Sequence, residues 1–349
     1  MWRASLRDLQ WRFRRVLIAA LSTAMVFALT LILAGVASSF KAEVRRTVDA
    51  FGADSWVVRD GVYGPFTTVN VLPLSAADAV SHLPGVQRAD PVLTVHETVR
   101  TPEVVDLNVV GYRAGGLGEP HVRHGRRPGA AHEMVVDDSL PHAHIGSVLM
   151  VSSVPFTIVG TTRGLSINAG EPVAFAAIDD VEALVFPGAQ VASAVVTRGV
   201  PTSLPAGLSV RTPKQTAHDT LRIVENPVRS IEIAELLMLA VAGLVIGSVV
   251  YLSALERQRD FAVMKATGAS SRAIFVGLAA QSTLLAFVAS VVGVFAAHLL
   301  VPLFPIHFSI PLGSSLLLPA EALAIGVLAS VAGVRRAVQV DPAVAFGGP

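Results

Sequence analysis

One group of charged residues in this sequence lies between two long apolar segments. It runs Leu255-Glu-Arg-Gln-Arg-Asp-Phe-Ala-Val-Met-Lys-Ala-Thr-Gly268 and contains two acidic and three basic side chains. Charged groups of both signs on a short helix provide orientation and specificity in a contact between proteins. We therefore expect this segment, held at a membrane surface, to receive force from another protein rather than to perform catalysis.

Five histidines in one short region are the other residues whose type could support chemistry. They are His121, His124, His132, His142 and His144. Some are two or three residues apart, a spacing that is compatible with a metal site. No cysteine and no regular ligand pattern accompany them, so we expect histidines in polar surface loops, with a metal site as the alternative.

Other kinds of active site lack essential residues. The three lysines, Lys41, Lys214 and Lys265, do not follow a glycine, so the phosphate-binding Gly-x-x-x-x-Gly-Lys-Ser/Thr motif is absent. Ser, His and Asp occur without the Gly-x-Ser-x-Gly turn of serine hydrolases. The absence of cysteine excludes thiol catalysis and disulfide bonds. We expect no catalytic residue, cofactor or metal in the chain, and any ATP-driven role requires a second polypeptide.

The composition predicts a membrane protein. Of the 349 residues, 52% are hydrophobic and 15% charged, against about 25% charged in soluble domains. Uncharged runs and the prolines that divide the last of them predict four membrane-spanning helices, at 16–40, 231–254, 273–301 and 315–334. The first run follows several arginines and could be a signal peptide, but its length favours a retained span.

Basic residues predict the orientation in a cell membrane. The first 15 residues contain five arginines, the 255–272 segment contains four basic residues, and Arg335-Arg336 follow the last span. The positive-inside rule places all of these in the cytoplasm, including both termini. Residues 1–15 are predicted to form an amphipathic helix on the membrane lipid, and 335–349 a tail. Residues 41–230 then form one extracytoplasmic domain. The net charge of +1 gives no indication of nucleic-acid binding, which usually requires a strongly basic surface.

The extracytoplasmic segment has the pattern of an α+β domain. Short β-rich runs alternate with helices that we expect to begin at Ser75, with Asp78, and at Asp179, with Glu182. An all-β insert is predicted at about 113–165. Residues 214–232 contain no glycine and predict a helical stalk that continues into the second span.

Two features of the spans concern packing and charge. Small residues recur at Ala20, Ala24 and Ala28 and at Gly243 and Gly247, a spacing that allows close helix packing. Glu321 is an ionisable residue inside the predicted fourth span. Such residues are rare in spans and often have a functional role. The alternative is that Glu321 lies near enough to the outer interface to stay hydrated.

The 255–272 segment itself predicts a docking helix. Leu255–Thr267 contains no glycine or proline, Gly268 provides a left-handed stop, and Ser270 or Ser271 can cap the next helix. Nothing between Gly247 and Gly268 breaks a helix, so a bend before this helix and a straight continuation of the second span both stay open.

This segment resembles the cytoplasmic loop of MacB/FtsX-like ABC transporter permeases. The likeness lies in an acidic-Arg-x-Arg-acidic cluster that leads to Lys265-Ala-Thr-Gly268-Ala. Within the outer domain, Leu83-Pro-Gly-Val86, Gly125-Arg-Arg-Pro128, Glu133-Met-Val-Val-Asp137, Gly146 and Phe156-Thr-Ile-Val-Gly160 are similar to the family's extracytoplasmic domain. The layout of one span, an outer domain and three spans also matches.

The resemblance implies the MacB-like (type VII ABC) architecture and a coupling role. Two permease copies, as a homodimer, would work with two ATPase subunits that bind ATP and Mg. An extracytoplasmic adaptor or binding protein is a further implied partner. The implied ATPase-coupling residues are Glu256, Arg257, Arg259, Asp260, Phe261, Met264, Lys265 and Gly268. Asp260-Phe261 departs from the family, where Glu is often followed by a smaller or aliphatic residue.

The function that follows is that of a permease subunit that transmits ATP-driven motion to an outer domain. An FtsX-like subunit that regulates a cell-wall hydrolase without transport is one alternative. An unrelated membrane-anchored receptor or enzyme is another. The sequence does not indicate a substrate or a direction of transport.

Overall fold

The computed structural model describes residues 13–67, 71–304 and 308–337 of the chain. Two compact units are present. The membrane unit holds the described residues up to Ser39 and from Val228 onward, and the outer unit is Phe40–Pro227. Most of the predicted interfacial helix (1–15) and of the tail (335–349) lies outside the described residues.

The helices of the described residues are of two length classes, long apolar ones and short ones. In chain order they are α1 (Phe13–Ala50), α2 (Ala76–Ser81), α3 (Ile178–Val185), α4 (Pro213–Leu221), α5 (Glu225–Glu256), α6 (Gln258–Ala266), α7 (Ser271–Leu300) and α8 (Leu312–Ala337). Among the described residues, four helical segments are long and apolar enough to cross a membrane. They are Leu17–Ala50 in α1, Pro213–Glu256 through α5, Ser271–Leu303 through α7 and Leu312–Val331 in α8. These four helices occur in the predicted order of one before the outer unit and three after it.

All strands of the described residues belong to the outer unit. They are β1 (Ser55–Arg59), β2 (Leu72–Pro73), β3 (Arg88–Thr101), β4 (Glu103–Tyr112), β5 (His124–Gly125), β6 (Glu133–Asp137), β7 (Val148–Val151), β8 (Val154–Thr162), β9 (Ser166–Ile167), β10 (Glu171–Ala177), β11 (Val191–Ala192), β12 (Ala194–Arg198) and β13 (Leu208–Arg211).

One mixed sheet organises the outer unit. In the described residues its main path runs β13-β1-β12-β3-β4-β10-β6-β8-β5, with β7 on β8 and β9 on β10. Strand β10 pairs in parallel with β4 and antiparallel with β6. The strands of the predicted β insert, 113–165, therefore form one end of this sheet and connect to the rest of it through β10.

Each face of the sheet supports its own apolar core. One core contains Phe156 with the buried face of α3, and the other contains Trp56, Phe175 and the last turns of α1. Alternation of side chains along β3 and β4 supplies both cores, because successive residues of a strand point to opposite faces.

The side-chain caps predicted for two short helices, at Ser75 and at Asp179, are wrong. Helix α2 does begin after Ser75, but the Ser75 side chain caps no backbone group. Helix α3 begins after Ala177, and Asp179 lies inside its first turn instead of capping it. A carboxylate in the first turn still interacts favourably with the helix dipole. The capping box that the sequence reading missed is at α4, where Thr212 and Gln215 hydrogen-bond reciprocally.

The outer-domain motif between residues 125 and 160 has a structural role. Arg126 forms a bidentate ion pair with Glu133, which also accepts hydrogen bonds from Gly129 and Ala130 N–H groups. The Arg126 hydrogen bond is the main cause that lowers the pKa of Glu133 to about 2. A Cβ on Gly160 would lie 2.6 Å from the Arg126 carbonyl oxygen. These residues therefore hold the loop that connects β5 to β6.

Small residues bring the membrane helices into backbone contact. Ala24 and Ala28 are buried, and a Cβ on Gly293 of α7 would lie 2.8 Å from the Ala24 carbonyl oxygen. Positions 243 and 247 of α5 face Ile325 and Ala329 of α8, while Ala20 is partly exposed. Apart from Ala20, the small residues singled out in the sequence pack against helices of the same chain.

We expect Gly293→Ala to destabilise the membrane unit by about 1–3 kcal/mol, the usual cost of overpacking. Its Cβ would meet the backbone of α1, which cannot move aside as a flexible side chain can. The matched control is Gly277→Ala in the same helix, where nothing lies within 4 Å of the added Cβ. Thermal unfolding of the detergent-solubilised chain compares them, and equal midpoints for the two variants would contradict the close approach of α1 and α7.

Candidate functional site

The helix predicted over Leu255–Thr267 is divided in the structure. Helix α5 ends at Glu256, Arg257 has non-helical φ and ψ of −103° and 12°, and α6 begins at Gln258. Phe261 N–H still donates to the Arg257 carbonyl at 2.9 Å, so α6 follows directly. No glycine or proline lies at this break.

The end of α6 is a Schellman motif. Gly268 has φ +95°, the Ala269 N–H donates to the Met264 carbonyl at 2.8 Å, and the Gly268 N–H donates to the Lys265 carbonyl at 3.0 Å. Both hydrogen bonds define this type of helix stop, which requires a left-handed residue that glycine adopts without strain. Of the two serines that could cap α7, Ser270 does so, through a 3.3 Å hydrogen bond from Ala273 N–H.

The inner face of α6 packs within the membrane unit. Phe261 and Ala262 are buried, with 8% and 4% of their surfaces exposed, and Phe261 belongs to the apolar cluster that also contains Ala254 and Ile274. Met264 packs against the same cluster while remaining partly exposed. The side chain of Phe261, which the resemblance placed in an ATPase contact, thus faces its own chain.

The outer face of α6 is polar with one apolar position. Arg259 and Asp260 are exposed, as is Glu256 at the end of α5, and Val263 is 51% exposed. Arg257 and Lys265 are partly exposed and engaged with other groups. An apolar side chain flanked by charges of both signs is suited to a contact with a protein surface, in which the apolar group is buried and the charges orient it.

Other candidate residues from the sequence lie elsewhere. Glu321 is exposed on α8 and has no ion pair within the part of the chain that the structure describes. The histidines of residues 121–144 do not form a three-ligand group among the described residues, and His132 instead approaches Asp180 at 3.9 Å. The grouping that meets metal-ligand distances is His96, Asp106 and Glu171. The sequence reading missed this group because its members are far apart in the chain.

The C-terminal part of the chain matches a known protein family. Residues 233–342, which include α6 and its flanking helices, match the family described as FtsX-like permease C-terminal. A protein of Mycobacterium bovis named as an uncharacterised ABC transporter permease is 41% identical over 349 residues, covering 99% of each chain. Two such proteins of Mycobacterium tuberculosis H37Rv are 41% and 40% identical with the same coverage.

Two solved structures resemble part of the chain. The periplasmic region of MacB from Actinobacillus actinomycetemcomitans is 10% identical, with a TM-score of 0.36, over 50% of this chain and 96% of that one. The extracellular domain of the noncanonic ABC-type transporter YknZ from Gram-positive bacteria is 12% identical, with a TM-score of 0.33, over 43% of this chain and 84% of that one.

Proposed function

Since the chain belongs to the FtsX-like family of ABC transporter permeases, we propose that it transmits ATP-driven motion from a separate ATPase subunit to the outer unit. A family of this kind implies an ATPase partner. The phosphate-loop motif is absent from the sequence. ATP and Mg would therefore be bound by the partner.

The main support for this proposal is that α6 has one face buried in its own chain and one face exposed. Its inner face is anchored by Phe261 and Ala262, and its outer face presents Arg259, Asp260 and Val263. The Schellman stop at Gly268 and the Ser270 cap of α7 fix both ends of the connection to the third span. A push on the outer face would therefore reach the membrane helices through a short, anchored element.

The basic residues support an orientation with α6 in the cytoplasm. The 256–272 segment contains Arg257, Arg259, Lys265 and Arg272, and cytoplasmic segments next to spans are enriched in such residues. With four spans this orientation also places both termini in the cytoplasm and the outer unit outside the cell membrane.

Packing in the outer unit supports the transmission of motion. The last turns of α1, through Val44 and Val48, and Ala217 of α4 belong to the core built on Trp56. Thr47 donates a 2.8 Å hydrogen bond to the Ser166 carbonyl. Both chain segments that connect the outer unit to the spans are therefore fastened inside it, so that movement of either segment moves the core as a body.

The working assembly that we propose contains two copies of this chain and two ATPase subunits. An extracytoplasmic adaptor or binding protein would contact the outer unit.

Site-specific photocrosslinking tests the docking assignment. A benzoylphenylalanine at Val263, expressed in native membranes, is expected to crosslink to a protein whose sequence contains the Gly-x-x-x-x-Gly-Lys-Ser/Thr motif. The matched control is the same group at Leu316, which is 76% exposed on α8. Mass spectrometry identifies the product, and recovery of the ATPase from both positions or from neither would contradict the proposal.

A further inference from the structure

A group of three metal-ligating side chains lies on the outer unit, apart from the proposed docking helix. His96 is on β3, Asp106 on β4 and Glu171 at the start of β10. One ligand atom of each lies within 4.8 Å of the others. We propose that these three residues bind a divalent transition metal ion, with Zn²⁺ as the ion that their donor set favours.

Strand pairing explains why these residues meet. His96 is directly opposite Asn108 in the β3–β4 ladder, and Thr98 is opposite Asp106. Asn108 in turn pairs with Val173, two residues after Glu171, in the β4–β10 ladder. Residues two apart on a strand share a face, so the register places an imidazole and two carboxylates on one face of three neighbouring strands.

Neighbouring polar groups orient both carboxylates and leave one oxygen of each available. Asn108 and Asn168 donate to Oε2 of Glu171 at 2.8 and 2.9 Å, and Thr98 donates to Oδ1 of Asp106 at 2.9 Å. In the described part of the chain, Oε1 of Glu171 and Oδ2 of Asp106 accept no hydrogen bond. Partners of this kind hold metal ligands in place and increase metal affinity.

The imidazole and one amide complete the polar surroundings. Nδ1 of His96 lies 3.4 Å from Oδ1 of Asn108 and 3.6 Å from Oε2 of Glu171. Oδ1 of Asn168 is buried and has no hydrogen-bond partner among the described residues. Because Nδ2 of Asn168 binds Glu171, this oxygen is a further acceptor near Glu171 that a cation or its bound water can satisfy.

Charge balance also favours a cation here. No arginine or lysine of the described residues forms an ion pair with Asp106 or Glu171. Two carboxylates at this distance repel each other unless a positive charge lies between them. A divalent ion bound between them would supply two positive charges.

The three ligand atoms must move slightly closer together to bind an ion of the size of Zn²⁺. Ligands at about 2.1 Å from a tetrahedral Zn²⁺ are about 3.4 Å apart, less than the present maximum of 4.8 Å. The side chain of His96 is 52% exposed and that of Glu171 24% exposed, so rotation of the histidine can close the difference. Solvent can fill the remaining coordination position.

The test uses the full chain in detergent, produced without a polyhistidine tag and stripped with a chelator. Equilibrium dialysis against Zn²⁺ is expected to load one ion per chain. His96→Ala and the isosteric Asp106→Asn should each lower the affinity for that ion about tenfold or more. His82→Ala, which removes another exposed histidine of the outer unit, should leave it unchanged.

A variant in which His121, His142 and His144 are all replaced tests whether these histidines of the β insert bind the zinc ion instead. This variant should also retain the ion. X-ray absorption of the zinc-loaded wild-type chain should show nitrogen and oxygen ligands with one imidazole, which a folding defect in a variant cannot imitate. Three results would overturn the proposal: no stoichiometric zinc in the wild type, full affinity in the His96 and Asp106 variants, or a zinc shell without imidazole.

Discussion

The double replacement Arg259→Glu and Val263→Glu is expected to abolish ATP-driven activity of the complex while leaving the chain folded in the membrane. Both side chains are exposed on the outer face of α6. If that face contacts the ATPase, two new carboxylates are buried there, one replacing a cation and one replacing an apolar group. Like-charge juxtaposition and unpaired buried charge each cost several kcal/mol. At least a tenfold loss of co-purified ATPase is therefore expected, because about 1.4 kcal/mol already corresponds to tenfold.

The measurement is the amount of ATPase that co-purifies with the chain, together with ATP hydrolysis by the recovered complex. Arg163→Glu with Val200→Glu makes the same chemical changes at exposed positions of the outer unit and should leave both quantities unchanged. Normal hydrolysis by the α6 variant, or equal loss in the control, would show that the outer face of α6 is not the docking surface.

Phe261→Ala provides a third comparison, because its effect should be on stability. Phe261 is 8% exposed within the apolar cluster of the membrane unit, and removal of a buried phenylalanine costs about 3–5 kcal/mol. We expect a lower unfolding midpoint, with loss of ATPase binding only to the extent that the chain unfolds.

The α6 region shows which parts of the site the sequence could predict. The stop at Gly268 and a serine cap on α7 follow from local rules, because glycine alone adopts φ +95° easily and serine accepts an N–H hydrogen bond. The break at Arg257 does not follow from such rules, since no helix breaker lies there. The orientation of Phe261 depends on the neighbouring helices. The spacing of apolar residues along one helix does not indicate whether they face their own chain or a partner.

Long-range pairing limits the prediction of the outer unit in a similar way. Many strands of the outer unit could be located from runs of β-branched residues between turns. Their order in the sheet is set by non-local contacts, such as the parallel pairing of β10 with β4. Glu171 therefore meets His96 across a sequence separation that no local motif marks, whereas the five clustered histidines do not form a three-ligand group among the described residues.

Trp56→Ala is expected to reduce the stability of the outer unit by about 3–5 kcal/mol and to uncouple it from ATP-driven motion. Trp56 is fully buried, and its ring lies 4.7 Å from that of Phe51 and 5.8 Å from that of Phe66. The same core contains the end of α1 and Ala217 of α4. A cavity at this position would loosen both segments that we propose to transmit movement.

Two variants distinguish loss of coupling from loss of stability. Trp56→Phe should cost far less than the alanine change, because Nε1 of Trp56 has no hydrogen-bond partner among the described residues and its removal leaves no acceptor unsatisfied. Phe156→Ala creates a comparable cavity in the core on the other face of the sheet, which contains neither connecting segment. We expect it to lower the unfolding midpoint by a similar amount without uncoupling the outer unit at temperatures where it is folded.

The absence of native cysteine makes the coupling measurable by spin labelling. Labels at Glu103→Cys, on the outer unit, and at Leu303→Cys, which is 76% exposed in the membrane unit, report the distance between the two units in the reconstituted complex. An ATP-dependent change in this distance is expected in the wild type, in Trp56→Phe and in Phe156→Ala, and is expected to be lost in Trp56→Ala. If the change disappears in Phe156→Ala as well, general destabilisation explains the loss, and the core around Trp56 is not the element that transmits the movement.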